Sequence, residues 1–249
     1  MKLYAISDIH TDFGENWNLI KQIDNYHHDG LIVAGDIADN LDVINKTFDL
    51  LQNKFKYVFY VPGNHELWIR NYKYNSLHKL NTIMNLCTSR GIITKPHKFK
   101  DHWIIPLLSW YDCLMPLNKN DIVESWADYY LCKWPLIDIN LAEYFGSLNN
   151  QYLRTYEGNV ISFSHFLPTV ELLPNPKYLK FKRLPDVSVS TVLADQIKLI
   201  GSKIHIFGHS HINRDVLIDN VRYIQNALLY PRERRENSVN LKLVVDINE

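Results

Sequence analysis

The chain has 249 residues, of which 46% are hydrophobic and 22% are charged, so it is long enough and apolar enough to bury a sizeable core. Its 27 lysine and arginine residues balance 27 aspartate and glutamate residues. A net charge of zero argues against a surface dedicated to coating nucleic acid. Together these values exclude a disordered tail protein and predict a folded domain.

The three cysteines, Cys87, Cys113 and Cys132, are scattered without C-x-x-C spacing, which predicts neither a disulfide framework nor a thiolate zinc site. The apolar stretch at the N-terminus meets Asp8 after a few residues and is shorter than the core of a secretion signal. No apolar run approaches the roughly 18 residues of a membrane-spanning helix. We therefore expect a soluble, cytoplasmic protein with no membrane partner.

The opening third of the chain alternates strand and helix signals. Short apolar runs at 2–7, 31–34 and 57–61 are typical of buried parallel strands. Between them, 15–28 and 40–54 carry apolar residues at helical intervals. This order predicts two successive strand-helix-strand units, whose strands are parallel and joined by crossover helices.

The rest of the chain adds one helix and several strands. A helix is predicted at 72–90, and buried strands are predicted at 159–164 and 203–207. The alternation at 215–224 and 239–247 is typical of antiparallel strands. Because no linker rich in Gly or Ser interrupts the chain, we expect a single domain.

Two segments allow more than one interpretation. Residues 99–135 are rich in Trp and Tyr. They form either a cap or a partner surface, and in a cap Trp110 would stack on a planar leaving group of the substrate. The alternative is ordinary aromatic core with a peripheral helix. The basic stretch 174–183 is either a solvated face or a clamp on a substrate phosphate. The arginines at 232, 234 and 235 are expected to be solvated.

Polar clusters with catalytic chemistry close the predicted strands. They are Asp8-Ile9-His10, Gly35-Asp36 with Asp39, Gly63-Asn64-His65-Glu66, the lone His165, and Gly208-His209-Ser210-His211. Because the carboxyl ends of parallel strands meet at one edge of a sheet, these side chains are expected to converge there. Carboxylate, amide and imidazole donors together suit Mn²⁺, Fe or Zn²⁺ rather than Ca²⁺.

The candidate metal ligands are seven: Asp8, His10, Asp36, Asn64, His165, His209 and His211. Two metal ions that share one carboxylate need about three further protein ligands each, and seven ligands with one shared give that number. The alternative for a lone histidine such as His165 is a satisfied core or loop residue. Glu66 is expected to be structural and to bind backbone or loop groups.

The order D-x-H, G-D-x-x-D, G-N-H-E, lone His, G-H-x-H resembles the calcineurin-like metallophosphoesterase superfamily over residues 8–211. The resemblance implies an α/β (α+β) fold over 1–249, a four-layer sandwich of two mixed β-sheets flanked by helices, with a dinuclear metal site at the strand C-terminal ends. It implies that one metal ion is held by Asp8, His10 and His211, that the other is held by Asn64, His165 and His209, and that Asp36 lies between them. It also implies that His65 protonates the leaving-group oxygen and that Asp39 orients His65, although Asp39 has the alternative role of a helix cap.

The implied activity is metal-dependent hydrolysis of a phosphoester by a hydroxide that bridges two divalent metal ions. Protein phosphatases of this superfamily carry G-D-x-x-D-R-G, whereas this chain reads GDIADN with Asn40 in place of arginine. We therefore expect a phosphodiesterase, or a phosphatase of nucleotides or other small molecules. The alternatives are a nuclease of the same superfamily, which zero net charge disfavours, and a catalytically silent binding module, which should lack ligands that this chain retains.

Overall fold

The computed structural model describes residues 1–70, 73–112, 126–135 and 140–247. Its strands are β1 (Lys2–Ile6), β2 (Tyr26–Ala34), β3 (Phe55–Val61), β4 (His97–Phe99), β5 (His102–Pro106), β6 (Asn159–Phe163), β7 (Ile204–Phe207), β8 (Arg214–Ile218), β9 (Val221–Gln225) and β10 (Lys242–Asp246). Its helices are α1 (Gly14–Gln22), α2 (Leu41–Gln52), α3 (Ser76–Arg90), α4 (Asp128–Leu131), α5 (Leu141–Ser147) and α6 (Thr191–Leu199).

The strands form two mixed sheets. The first has the order β10-β1-β2-β3, in which β1, β2 and β3 are parallel and β10 pairs antiparallel with β1. The second has the order β4-β5-β6-β7-β9-β8, with antiparallel edge strands on a parallel centre. The parallel strands of both sheets deliver their carboxyl ends to one edge of the molecule.

Alternating side chains along the strands separate the layers of the core. In β1, Leu3 and Ala5 face the second sheet, where they pack with residues such as Ile161. Ile6 lies on the opposite face, within a cluster that includes Phe48 of α2. On the far side of the second sheet, buried residues of β6 and α6 pack together. The layers therefore run helix, sheet, sheet, helix, which confirms the predicted four-layer sandwich.

The predicted boundaries differ from the structure in the first crossover. The helix predicted at 15–28 ends at Gln22, and the strand predicted from residue 31 already begins at Tyr26. The Tyr26 ring stacks on Phe55 at 5.0 Å and meets Tyr4 at 4.9 Å between ring centroids. This aromatic packing across neighbouring strands outweighs the helical spacing of the segment. The helix predicted at 72–90 begins at Ser76, while 71 and 72 lie outside the described residues.

The aromatic segment is core at Trp110. This ring is 2% exposed and lies 4.9 Å from the Trp134 ring and 5.6 Å from the Phe145 ring. The core interpretation is therefore confirmed at Trp110, and stacking of this ring on a leaving group is wrong. Residues 113–125, with Cys113, lie outside the described residues.

Among the described helices, none has the length and apolarity needed to cross a membrane.

Candidate metal centre

Five of the predicted ligands have an unusual backbone conformation. Positive φ angles between 39° and 72° occur at Asp8, His10, Asp36, His209 and His211. Side chains other than glycine rarely adopt this region, and such residues cluster at functional sites because the surrounding structure holds them there. Asp8, Asp36 and His209 stand two residues past the ends of β1, β2 and β7, and His10 and His211 stand four residues past the ends of β1 and β7, so the loops at the strand ends fix where these side chains point.

Glycine is required where two of these loops cross His165. Gly35 has a φ of +81°, and a Cβ at Gly63 would lie 2.8 Å from the His165 ring. Real Cβ atoms do not approach so closely, so a larger residue at Gly63 would displace the imidazole. The glycines of the G-D and G-N-H motifs therefore allow the ligand loops to pack on a ligand side chain.

Three predicted ligands form a first triad. The Nε2 atoms of His10 and His211 lie 3.2 Å apart, and His211 Nε2 lies 3.5 Å from Asp8 Oδ1. One donor atom from each of the three residues falls within 4.8 Å of the others. Asp8 and His10 are buried, so the triad opens only on the side of His211.

The other three form a second triad around an amide oxygen. Asn64 Oδ1 lies 3.0 Å from both His165 Nε2 and His209 Nδ1, and these two nitrogens are 3.3 Å apart. The Asn64 amide nitrogen donates to Asp128 Oδ1 at 2.9 Å, which turns the amide oxygen toward the histidines. Asp128 was not singled out in the sequence, since it stands alone in the aromatic segment without a motif.

Asp36 lies between the triads. Its Oδ2 is 3.5 Å from His165 Nε2 of the second triad, and one of its oxygens falls within 4.8 Å of donors of both Asp8 and His165. The backbone N–H of His65 donates to Oδ1 at 3.1 Å. The structure thus brings all seven predicted ligands together, with Asp36 in the position that a shared ligand requires.

The outer nitrogens of three imidazoles are hydrogen-bonded to protein oxygens. His165 Nδ1 lies 2.9 Å from Ala34 O, His209 Nε2 lies 2.9 Å from Val187 O, and His211 Nδ1 lies 2.7 Å from Glu233 Oε2. An oxygen acceptor places the proton on the outer nitrogen and leaves a lone pair on the inner one. The inner lone pairs of His165 and His209 then face each other at 3.3 Å and repel unless a cation lies between them, so this pair of donors fits a metal ion.

The charges of the site lead to the same conclusion. Burial, together with the carboxylates of Glu66 and Asp8, raises the pKa of Asp36 well above its usual value. Burial lowers the pKa of His211, but hydrogen bonds to Asp8 and Glu233 outweigh it and raise that pKa to about 9. Asp36 and His211 therefore favour an added positive charge beside them, whereas burial lowers the pKa of His10 and His209 and keeps these imidazoles neutral, the form that binds a metal ion.

Glu66 organises the ligand loops, as the sequence predicts. Its buried carboxylate accepts backbone N–H groups from Asp36 at 3.1 Å, Ile37 at 2.5 Å and Gly63 at 2.7 Å. These donors belong to the G-D and G-N-H loops. One side chain therefore fixes two ligand-bearing loops relative to each other, and the structural role expected for Glu66 is confirmed.

His65 lies beside the triads with different neighbours from those predicted. Its Nε2 is 2.9 Å from the Tyr230 hydroxyl and 3.8 Å from Asp36 Oδ2, and its ring lies 3.6 Å from the Trp68 ring. The Asp39 carboxylate instead pairs with Arg70 at 3.0 Å. Orientation of His65 by Asp39 stays a prediction.

The cap of α2 is not Asp39. The Asn40 side chain accepts the N–H groups of Asp42 at 2.8 Å and Val43 at 3.3 Å, so Asn40 is the N-cap and the alternative role of Asp39 as a helix cap is wrong. Asn40 is also the residue that departs from the protein phosphatase motif. Its side chain therefore closes a helix end at this position.

Sequence reasoning missed the segment that carries Tyr230 and Glu233. Glu233 contacts the ligand His211, and the Tyr230 ring stacks on the ligand His10 at 4.3 Å. Both stand among arginines that were expected to be solvated. That expectation is wrong for Arg234, whose side chain is 4% exposed and lies 3.6 Å from Glu15. The only sequence signal for a structured segment here is Pro231, which begins the short turn Pro231–Glu233.

Part of the basic stretch 174–183 makes local contacts. Lys182 Nζ donates to the backbone oxygens of Pro176 and Lys177, both at 2.8 Å, and the Arg183 side chain pairs with Asp186. These contacts hold two of its four basic side chains in the loop. In the Trp- and Tyr-rich segment, the Trp126 ring lies 5.8 Å from that of His209, beside the second triad.

The structure thus combines a helix, sheet, sheet, helix sandwich with carboxylate, amide and imidazole donors at its strand ends, an arrangement suited to a metal-dependent phosphoester hydrolase. Residues 1–213 match the family model of the calcineurin-like phosphoesterases, and the chain belongs to that family. The Asp and His clusters described above are suited to metal ions.

Relatives agree with this assignment. The chain is 29% identical to the [acyl-carrier-protein] phosphodiesterase PptH of Mycobacterium tuberculosis over 94% of this chain and 79% of that protein. It is 24% identical to an uncharacterized protein of Acanthamoeba polyphaga mimivirus over 99% and 97% of the two chains. The crystal structure of the phosphopantetheinyl hydrolase PptH from Mycobacterium tuberculosis superposes with a TM-score of 0.82 and 27% identity, covering 98% of this chain and 95% of that one.

Proposed function

We propose that this enzyme hydrolyses a phosphodiester at a centre of two divalent metal ions, which are Mn²⁺, Fe or Zn²⁺. The observation that supports this proposal best is the pair of ligand triads with Asp36 between them. Asp8, His10 and His211 hold one ion, and Asn64, His165 and His209 hold the other. When bound, two such cations lower the pKa of water and neutralise charge on a phosphoryl group.

The side chains of the protein position the ligands and serve the leaving group. Glu66 and Asp128 fix the loops and the Asn64 amide, so the donors need little rearrangement. His65 is the proposed donor of a proton to the leaving-group oxygen, since it borders the triads and its Nε2 lies 3.8 Å from Asp36 Oδ2. Burial and the neighbouring histidines lower its pKa, so its protonation depends on the negative charge of a bound phosphoester. Asp39 acts on this region through Arg70, which lies over the Trp68 ring at 5.2 Å.

We further propose a substrate in which a phosphodiester joins a phosphopantetheine group to an acyl carrier protein. This is the class of substrate that the name of PptH gives for that enzyme. The similarity to PptH covers 94% of this chain and therefore extends past the matched family segment at residue 213. A nucleic acid is less favoured, because the net charge is zero and local contacts hold two of the four basic side chains of the stretch 174–183. We take residues 1–249 as one catalytic domain, because β10 completes the first sheet.

The reaction type is tested with two chromogenic esters. Protein stripped of metal is supplied with Mn²⁺ and assayed with bis-p-nitrophenyl phosphate and p-nitrophenyl phosphate, with Asp36→Asn as the inactive control. Faster cleavage of the diester supports the proposal. Cleavage of the monoester alone would contradict it and indicate a phosphatase.

The substrate class is tested with an acyl carrier protein that bears phosphopantetheine. Incubation with the Mn²⁺-loaded enzyme should lower the mass of the carrier protein by that of the phosphopantetheine group, as seen by mass spectrometry. His65→Ala is the matched control, because it retains the ligand set. An unchanged carrier protein, together with cleavage of the chromogenic diester, would reject this substrate and retain the reaction.

A further inference from the structure

Two cavities meet at the metal centre. The inner one, of about 300 Å³, contains the ligands Asp36, Asn64, His209 and His211 in its walls. The outer one, of about 630 Å³, is lined on its far side by Phe13, Arg70 and Arg232. Three side chains line both cavities: His65, Trp68 and Tyr230. The proposed proton donor therefore stands in the wall between the ligands and the outer cavity.

Aromatic rings form the walls of the outer cavity. The Phe13 ring lies 5.5 Å from the Tyr230 ring, and Phe13 is 42% exposed although it follows the ligand His10 by three residues. Trp68 supplies a further face beside His65. A large exposed phenyl ring next to a polar centre is not needed for the core. It offers contact area to a ligand.

The charges around this cavity are nearly balanced. Arg70 is paired with Asp39 at 3.0 Å, and the Glu15 carboxylate lies 3.6 Å from Arg234. This leaves Asp12 and Arg232 as opposite charges on the rim. Since neither sign dominates, the cavity suits an uncharged group better than a polyanion.

Backbone hydrogen bonds tie the wall that carries Tyr230 to the loop after β1, and this wall follows the segment that the family model matches. Leu228 and Leu229 donate their backbone N–H groups to the carbonyls of Ser7 and Asp8, at 3.0 and 3.2 Å. Leu229 has a φ of +75°, a conformation that a leucine rarely adopts. These contacts bring Tyr230 over His10 and His65, although the family match ends at residue 213.

We propose that the outer cavity is the subsite for one ester arm of the substrate, and that it selects an uncharged arm with aromatic or aliphatic character. The inference rests on the proposed function, because it places the phosphoryl group in the inner cavity. The arm then passes between Trp68 and Tyr230 and lies against Phe13. Arg70 and Arg232 are placed to donate hydrogen bonds to carbonyl oxygens along it.

Phosphonates that cannot be hydrolysed test this subsite. Isothermal titration calorimetry on the Mn²⁺-loaded enzyme compares methylphosphonate, 4-phenylbutylphosphonate and 5-phosphonopentanoate, whose arm ends in a carboxylate. We expect the phenyl arm to bind about tenfold more tightly than the methyl group and the carboxylate arm to gain less than threefold. In Phe13→Ala the ratio of the phenylbutyl to the methyl affinity should fall about threefold to tenfold.

Leu217→Ala is the matched control, because Leu217 is 70% exposed on the edge strand β8. It should leave the ratio unchanged. Equal affinities for the methyl and phenylbutyl compounds, an equal gain from the carboxylate arm, or an unchanged ratio in Phe13→Ala would overturn the proposal. Hydrolysis of bis-p-nitrophenyl phosphate by the same preparation reports the proposed function separately, so failure of one is distinguished from failure of the other.

Discussion

Replacing Glu66 by glutamine should lower the free energy of unfolding, because Glu66 is buried between the two loops that carry candidate ligands. The carboxylate accepts three buried backbone N–H groups through its two oxygens: Oε2 takes those of Asp36 and Gly63, and Oε1 takes that of Ile37. A glutamine offers one oxygen and one NH₂ group. In either orientation at least one buried N–H then faces another donor. A lost hydrogen bond to a charged group and an unsatisfied buried donor together cost about 2–4 kcal/mol.

The assay is urea unfolding of metal-free protein, with the free energy of unfolding taken by linear extrapolation. Glu157→Gln is the control, because Glu157 is exposed in the loop before β6. We expect the Glu66 variant to lose about 2–4 kcal/mol and the control to stay within about 0.5 kcal/mol of the unmodified protein. A Glu66→Gln protein as stable as the control would refute the argument that this carboxylate holds the two ligand loops together.

Three further predictions concern the ligands, the proton donor and the response to pH. Asp36→Asn should lower bound metal by about half or more, measured by elemental analysis, because it removes the carboxylate between both triads. His65→Ala should lower kcat about 100-fold or more for a diester with a poor leaving group and leave the metal content intact. Burial lowers the pKa of His205 to about 3, so the unfolded chain, with a value of about 6.5, binds a proton first as the pH falls. The resulting stability is complete above pH 6.5 and declines toward pH 3, with about 2 kcal/mol lost by pH 5 in urea unfolding.

Each of these has an outcome that contradicts it. Full metal content in Asp36→Asn would show that its carboxylate is not a shared ligand. Unchanged kcat in His65→Ala would remove the general-acid role. For His205 the comparison is His205→Gln, which should lose about 2 kcal/mol less stability than the unmodified protein between pH 7 and pH 5. Equal losses would mean that other groups account for the acid sensitivity.

The convergence of the candidate ligands was predictable from sequence because they follow the ends of predicted strands. Short apolar runs predict buried strands, and the polar residues that follow these runs lie at the same edge of the sheet. Asp8, Asp36 and His209 each stand in such a place. The role of Glu66 was also open to prediction, since a carboxylate within a turn between ligands has backbone N–H groups as its nearest donors.

The surroundings of the ligands were not predictable in the same way. Tyr230 contacts His65 across 165 residues, and Asp128 contacts Asn64 across 64. Neither lies in a motif, and no periodic pattern reports a contact between distant loops. The segment Tyr26–His28 was misassigned because the helical spacing before it continues into a strand that is held by neighbouring strands rather than by its own sequence.

The division between these two groups of residues follows from what each must do. Ligands are required to meet at fixed distances, so they sit on rigid strand ends, and five of them are held at positive φ at a cost of about 1–3 kcal/mol each. Glu66 and the outer acceptors of the histidines hold that arrangement before any cation arrives. Residues that select a substrate need only border the centre. Tyr230 does so from a segment that follows the matched family region and contacts His65 and His10. The family match therefore accounts for the reaction, and the walls at Phe13 and Tyr230 are where the choice of ester arm is expected to lie.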